Sequence, residues 1–297
     1  MRFISAISFV LFSQAGLANV CDDVEVQVLG SGGPELNDGR ASSSYLIWYK
    51  GESRVLVDTG SGSSVQFDHA HGDMNTLDAI VFSHFHSDHS ADFASYIKGA
   101  FFTPRDKPLV IAGPSGNRLM PSTTQFVDRQ IGESGAFQYL ADNLDDTQQQ
   151  YPIRVVNQPA NRISEEANIS STIRIQSLPV EHGPIAAVAW KINVAGCVIT
   201  YTGDMNGTNK DFAAFSHNAD FAIMHAAIDE HASGVATRLH MRPSDIAAIA
   251  NDSAAKRILL SHFMNRSAPQ REAIRALVAK ETGKPVLLAE DLMKVQL

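Results

Sequence analysis

Apolar and polar positions alternate along Val24-Glu25-Val26-Gln27-Val28-Leu29, which predicts a strand. The runs Tyr45-Leu46-Ile47-Trp48-Tyr49 and Arg54-Val55-Leu56-Val57 flank Lys50-Gly51-Glu52-Ser53 and predict a hairpin. Leu77 to Phe82 and Lys107 to Ala112 read as short buried strands, with a helix over Ser90 to Ile97 between them. A polar stretch from Ser115 to Gln150 predicts helices around Ser122 to Ile131 and Ser134 to Leu144, a solvated cover able to shape a cleft. Strand patterns return at Thr172 to Leu178, at a hairpin of Ala187 to Val194 with Gly196 to Tyr201, and at Ala219 to His225. A helix then runs in from Leu239 to Ala250, and Arg257 to His262 reads as a further strand. Strands and helices alternate in both halves, an α/β (α+β) pattern. With 297 residues, 44% of them hydrophobic, the chain can bury a large core in one domain or in two similar halves.

The N-terminus has a different pattern. Met1-Arg2, the apolar run Phe3 to Phe12 and the small residues of Ala15-Gly16-Leu17-Ala18 form a secretory signal peptide pattern. Residues 1–18 are therefore expected to be removed, leaving 19–297 as one domain in the periplasm or outside the cell. The apolar run is too short to span a bilayer, so no stable membrane anchor is expected. Loss of Arg2 takes the formal net charge from −8 to −9. A net acidic chain does not collect phosphate backbone by long-range attraction, which argues against a long nucleic acid as partner. Cys21 and Cys197 could pair in an exported protein. Their places, one at the mature terminus and one on a strand, favour free thiols.

Chemistry concentrates in His84-Phe85-His86-Ser87-Asp88-His89. His84 and His86 stand two apart, so on extended backbone both rings point to one side and can hold one metal ion. Asp88 and His89 lie where the chain turns into the predicted helix and can face a second ion. Imidazoles with few carboxylates suit zinc first, with iron or manganese possible. His69 and His71 lie in a polar segment and read as surface histidines.

This cluster resembles the His-x-His-x-Asp-His signature of the metallo-β-lactamase-fold hydrolases. Val180-Glu181-His182-Gly183, Tyr201-Thr202-Gly203-Asp204 and Leu259-Leu260-Ser261-His262-Phe263 resemble the segments that complete that family's ligand set. The resemblance implies a four-layer αββα sandwich. It also implies two zinc ions, one on His84, His86 and His182, the other on Asp88, His89 and His262, with Asp204 bridging them and a shared hydroxide as nucleophile. Asp58-Thr59-Gly60 is similar to the family's Asp-x-Gly motif, whose carboxylate supports loop amides or a ligand histidine rather than a metal.

Leu29-Gly30-Ser31-Gly32-Gly33-Pro34 with Arg40 to Tyr45 resembles the opening of the ribonuclease Z branch. Leu239-His240-Met241-Arg242-Pro243-Ser244 resembles the segment that carries that branch's phosphate-contacting histidine. His240, Asp88 and Asp204 are thus the candidate catalytic residues, with Arg242 a candidate anion contact. Two departures restrain the analogy. Ala226 stands where that branch commonly has Glu, a place Asp229 or Glu230 could fill, and only 22 positions separate His182 from Asp204, too few for the long arm of tRNA-processing enzymes. The expected function is an exported binuclear zinc hydrolase cutting a small anionic ester, a phosphodiester or an aryl sulfate, with a homodimer possible. An acyl-homoserine lactonase is the alternative; a ribonuclease Z-type endonuclease and a non-catalytic metal-binding protein stand behind both.

Overall fold

The computed structural model describes residues 19–144 and 151–297. The expected signal peptide, residues 1–18, lies outside them. Fourteen strands among the described residues are, in chain order, β1 (Val24–Gly30), β2 (Ser44–Tyr49), β3 (Glu52–Val57), β4 (Ala79–Val81), β5 (Leu109–Pro114), β6 (Ile153–Gln158) and β7 (Ala167–Asn168). They continue as β8 (Ile173–His182), β9 (Ile185–Val194), β10 (Cys197–Tyr201), β11 (Phe221–His225), β12 (Ile258–Ser261), β13 (Val286–Leu288) and β14 (Lys294–Gln296). They form two seven-stranded sheets, ordered β14-β1-β2-β3-β4-β5-β6 and β13-β12-β11-β10-β9-β8-β7. In each sheet the early strands pair antiparallel and the later ones parallel, so the two halves repeat one plan.

Period-two alternation sorts the side chains into layers. On β2, Tyr45 and Ile47 enter the core between the sheets, while Leu46 and Trp48 enter the core beneath the helices of the first half. Val55 and Val57 on β3 part from Leu56 in the same way. A third core packs the outer face of the second sheet, including Met224 and Leu260, against helical residues Ile246, Ala250, Ile274 and Val278. Three cores separate four layers, the αββα sandwich expected.

The predicted helix over Ser90 to Ile97 is two pieces, Ser87–Ser90 and Phe93–Ala100. The first polar helix runs Thr123–Ile131 behind a capping box of Ser122 and Gln125. The second is a tighter 3₁₀ turn, Gln138–Leu144. No helix of the described residues is long and apolar enough to cross a membrane.

The structure decides the pairing that the sequence leaves open. Cys21 and Cys197 form a disulfide with their Cα atoms 5.0 Å apart, because the turn of residues 19–24 folds the chain start against the beginning of β10. The link closes a sequence separation of 176 residues, so it restricts the unfolded chain strongly. Cys197→Ser is expected to lower unfolding stability by about 2–5 kcal/mol. Urea titrations of variant and parent measure it, and the gap should close when both are reduced.

Candidate metal centre and active site

Loops from both sheets converge at one end of the sandwich. His84 follows β4, and His86 is the residue before the short helix Ser87–Ser90, which carries Asp88 and His89. His182 ends β8, Asp204 lies three residues past β10, and His262 follows β12. Trp190 on β9 donates its indole N–H to the Phe82 carbonyl at 3.0 Å, and the Val188 N–H donates to the Ser83 carbonyl at 2.9 Å. The second sheet thus clamps the histidine loop of the first.

Two backbone features set the ligand loops. Gly203 has φ +54°, and a Cβ there would stand 2.6 Å from Cβ of Ser83, so only glycine lets the Asp204 loop approach. Gly33, from the glycine cluster after β1, packs where a Cβ would lie 2.8 Å from Cε1 of His262. His262 and Asp58 themselves sit at φ +56° and +55°, left-handed positions that side chains other than glycine occupy at a cost.

His84, His89, His182, His262, Asp88 and Asp204 are buried, and His86 is half-buried. Ring nitrogens of His84, His86 and His182 gather within 4.8 Å of one another. On the other side, Asp88 Oδ2 lies 3.3 Å from His262 Nε2 and 3.6 Å from His89 Nε2, and the two Nε2 atoms are 3.3 Å apart. Asp204 stands between the groups, with Oδ2 3.7 Å from both His182 Nε2 and His89 Nε2, and Oδ1 3.5 Å from His262 Nε2. Four atoms about 2.0–2.1 Å from a tetrahedral zinc ion stand roughly 3.4 Å from each other. The spacings here, including 3.4 Å from His182 Nε2 to His86 Nδ1, fit that geometry. His84 Nε2 is buried without a hydrogen-bond partner, and a cation is the partner such an atom can take. The residues therefore form a candidate divalent-metal site.

Supporting bonds aim the rings. Asp58 accepts from the Ser83 N–H at 2.7 Å, the Ser83 hydroxyl at 2.7 Å, the Tyr201 hydroxyl at 2.6 Å and His89 Nδ1 at 2.8 Å. His182 Nδ1–H donates to the Leu239 carbonyl at 2.8 Å, which leaves Nε2 facing the cluster. Burial, with His89 beside it, holds His84 well below the ordinary imidazole value, in the neutral form that metals take. Burial also opposes charge on His89, but Asp88, Asp58 and Asp204 outweigh it and raise that pKa. Burial would lift Asp204, yet His262, His240 and His89 hold it well below the carboxylate range.

His240 follows the helical turn Val235–Leu239, and its Nδ1 stands 3.7 Å from Asp204 Oδ2 without a hydrogen-bond partner. Burial lowers its pKa to about 3. With Pro34, Leu239, Met264 and Arg266 it lines a cavity of about 200 Å³ over the ligand cluster. The structure does not bring Arg242, Asp229 or Glu230 to this ring. The Arg242 guanidinium donates to the Ala232 carbonyl at 3.3 and 3.1 Å, Glu230 accepts from the Ser244 N–H and hydroxyl at 2.9 and 2.5 Å, and Asp229 accepts from the His231 N–H at 2.7 Å. Arg266 is the cation at the cavity, four residues past His262, where no pattern in the sequence marks it. His225 was also missed, because it closes an apolar strand. Its Nδ1 lies 2.7 Å from Asp204 Oδ1. His69 and His71 are on the surface, as expected.

Comparison with known proteins agrees with the fold and revises the function. The family model of the Beta-lactamase superfamily domain matches residues 53–263. Ribonuclease Z of Methanosarcina acetivorans is 25% identical over 310 residues, covering 92% of this chain and 98% of that protein. A metallo-beta-lactamase fold protein from Bacillus subtilis superposes with a TM-score of 0.69 at 21% identity, over 92% of this chain and 98% of its own. The short form of human tRNase Z gives 0.67 at 19%, over 91% and 98%. Relatives named ribonuclease Z, matched over 98% of their own length, overturn the expected hydrolase of small anionic esters or lactones, and with it the exclusion of a nucleic-acid partner. The physical reason is one of scale: a net charge averages the whole surface, whereas a substrate meets the mouth, where Arg266 and His240 lie. On the match, the shared architecture and the ordered motifs, this chain belongs to the metallo-β-lactamase superfamily, in its ribonuclease Z branch.

Proposed function

We propose that the chain is a metal-dependent endoribonuclease of the ribonuclease Z type, holding two divalent ions, zinc first, on His84, His86 and His182 and on Asp88, His89 and His262, with Asp204 between them. The observation that carries this reading is the placement of His240 and Arg266 in one cavity directly over the ligand cluster. Bound divalent ions would polarise a phosphodiester and make a nucleophile available near neutral pH. The remaining work falls to the chain's own groups. His240, kept neutral by burial, offers an N–H to a phosphoryl or leaving oxygen. Arg266, exposed at the mouth and held by its Nε–H to the Ala227 carbonyl at 3.0 Å, offers charge to a neighbouring phosphate. Asp88, buried between His89 and His262, fixes one side of the cluster.

The disulfide supports folding in an oxidising compartment after loss of residues 1–18, so we place the mature chain in the periplasm or outside the cell. The intact mass of the exported protein tests this, since it should begin near residue 19.

Zinc-loaded protein is to be given a 3′-extended precursor tRNA and, in parallel, bis(p-nitrophenyl) phosphate. The expected result is RNA cleavage at a defined 3′ position that weakens as salt rises. His240→Ala is expected to slow that cleavage by about 10²–10⁴-fold with zinc content unchanged. Turnover of the chromogenic diester with the RNA left intact would sink the nuclease reading; loss of zinc along with activity would make His240 structural.

A further inference from the structure

Behind Asp204, on the side away from the cavity, lies a buried polar chain that none of the roles above uses. His225 ends β11 with its Nδ1 2.7 Å from Asp204 Oδ1 and its Nε2 3.2 Å from the Tyr45 hydroxyl. The Tyr45 and Ser261 hydroxyls are 2.7 Å apart. His225 and Ser261 are register partners on the parallel strands β11 and β12, whereas Tyr45 reaches across from β2 of the opposite sheet. All three side chains are buried, with exposures of 2%, 0% and 0%.

We propose that His225, braced by Tyr45 and Ser261, is a positioning residue that fixes the rotation of the Asp204 carboxylate so that its second oxygen stays turned toward both halves of the metal centre.

A carboxylate between two histidine groups can rotate about its terminal bond, a soft and roughly two-fold torsion. If Oδ1 is held by one short hydrogen bond, Oδ2 has one place to be, and it is found 3.7 Å from His182 Nε2, His89 Nε2 and His240 Nδ1. The hydrogens can be arranged without a gap. With one proton on the ring, Nδ1–H donates to Asp204, and Nε2 accepts from the Tyr45 O–H; Tyr45 in turn accepts from the Ser261 O–H. Each group donates once toward the carboxylate, so the chain leaves His225 one tautomer. The backbone that carries the ring is tied to the same loop, since the His225 backbone N–H donates to the Thr202 hydroxyl at 3.2 Å, two residues before Asp204. Asp58 and Tyr201 support His89 from below in the same manner, and the rings of Tyr45 and Tyr201 lie 5.4 Å apart between the sheets. Each half of the sandwich therefore lends one tyrosine to the support of the other half's ligand.

This inference rests on the proposed metal-binding role of Asp204, and the test separates the two. Zinc retention is to be measured by competition with a chromophoric chelator for wild type, Asp204→Ala, His225→Ala, His225→Asn and Tyr45→Phe. His225→Ala should weaken retention about 10–100-fold, as loss of an outer partner of a metal ligand does. His225→Asn, whose side-chain N–H₂ falls where Nδ1 stands, should recover most of it. A ring that only filled space would be served no better by Asn than by Ala, so equal loss in both overturns the proposal, as does wild-type retention in His225→Ala. If His225→Ala does not fold, Tyr45→Phe decides: a loss in the same direction supports the brace, and an unchanged curve overturns it. Unchanged retention in Asp204→Ala would instead remove the metal reading on which the inference stands.

Discussion

Asp204→Ala is expected to strip the site of metal and of hydrolysis together. No other carboxylate of the cluster lies within reach of both groups of histidines: Oδ2 approaches His182 and His89 at 3.7 Å, and Oδ1 approaches His262 at 3.5 Å. Removing it leaves imidazole nitrogens 3.3–3.4 Å apart, such as His89 with His262 and His86 with His182, with Asp88, beside His89 and His262, as the one carboxylate left in the cluster. The loss should exceed the roughly 10–100-fold fall in metal affinity that follows removal of a mere supporting partner. Metal content after dialysis, read beside turnover of a phosphodiester, measures it. A variant that keeps its metal and a tenth or more of its turnover would show that Asp204 is not the residue joining the two groups. Asp204→Asn should fall between, because one oxygen survives and the charge does not.

Much of this candidate cluster was legible in the sequence because its residues sit at strand ends, and strand ends can be read. His182, Asp204 and His262 each follow a short apolar run, and those runs are β8, β10 and β12. The four layers were legible for a related reason: alternation on β2 and β3 divides Tyr45 and Ile47 from Leu46 and Trp48 before any fold is known. What stayed hidden depends on contacts distant in sequence. Cys21 meets Cys197 through a turn that carries no pairing signal. His225 looks like one more residue of a buried strand, and only the approach of Asp204 and Tyr45 gives it a polar role. Arg242 and Arg266 could not be told apart by composition; one is tied to the Ala232 carbonyl and the other stands at the cavity. The net negative charge misled about the partner, since it says nothing of how charge is arranged around one mouth.

Asp58→Asn should loosen the fold and the second metal position at once. The carboxylate is fully buried and accepts four hydrogen bonds, from the N–H and hydroxyl of Ser83, from Tyr201 and from His89. An amide of the same shape can accept on one side only. Its N–H₂ would meet the donors Tyr201, Ser83 and His89 Nδ1–H, all of which converge on Oδ2, or else the Ser83 N–H on Oδ1. Breaking a buried charged pair from one side typically costs about 3–5 kcal/mol, and unmatched donors add to that rather than relieve it. His89 would meanwhile lose the group that holds its Nδ1 and points its Nε2 at Asp88 and His262, so the metal on that side should weaken by about 10–100-fold. The signature is asymmetric: zinc titration should show one site weakened and the His84, His86 and His182 site nearly intact. Equal weakening of both sites would mean that Asp58 acts through the loop as a whole, by way of the Ser83 N–H, and not through His89.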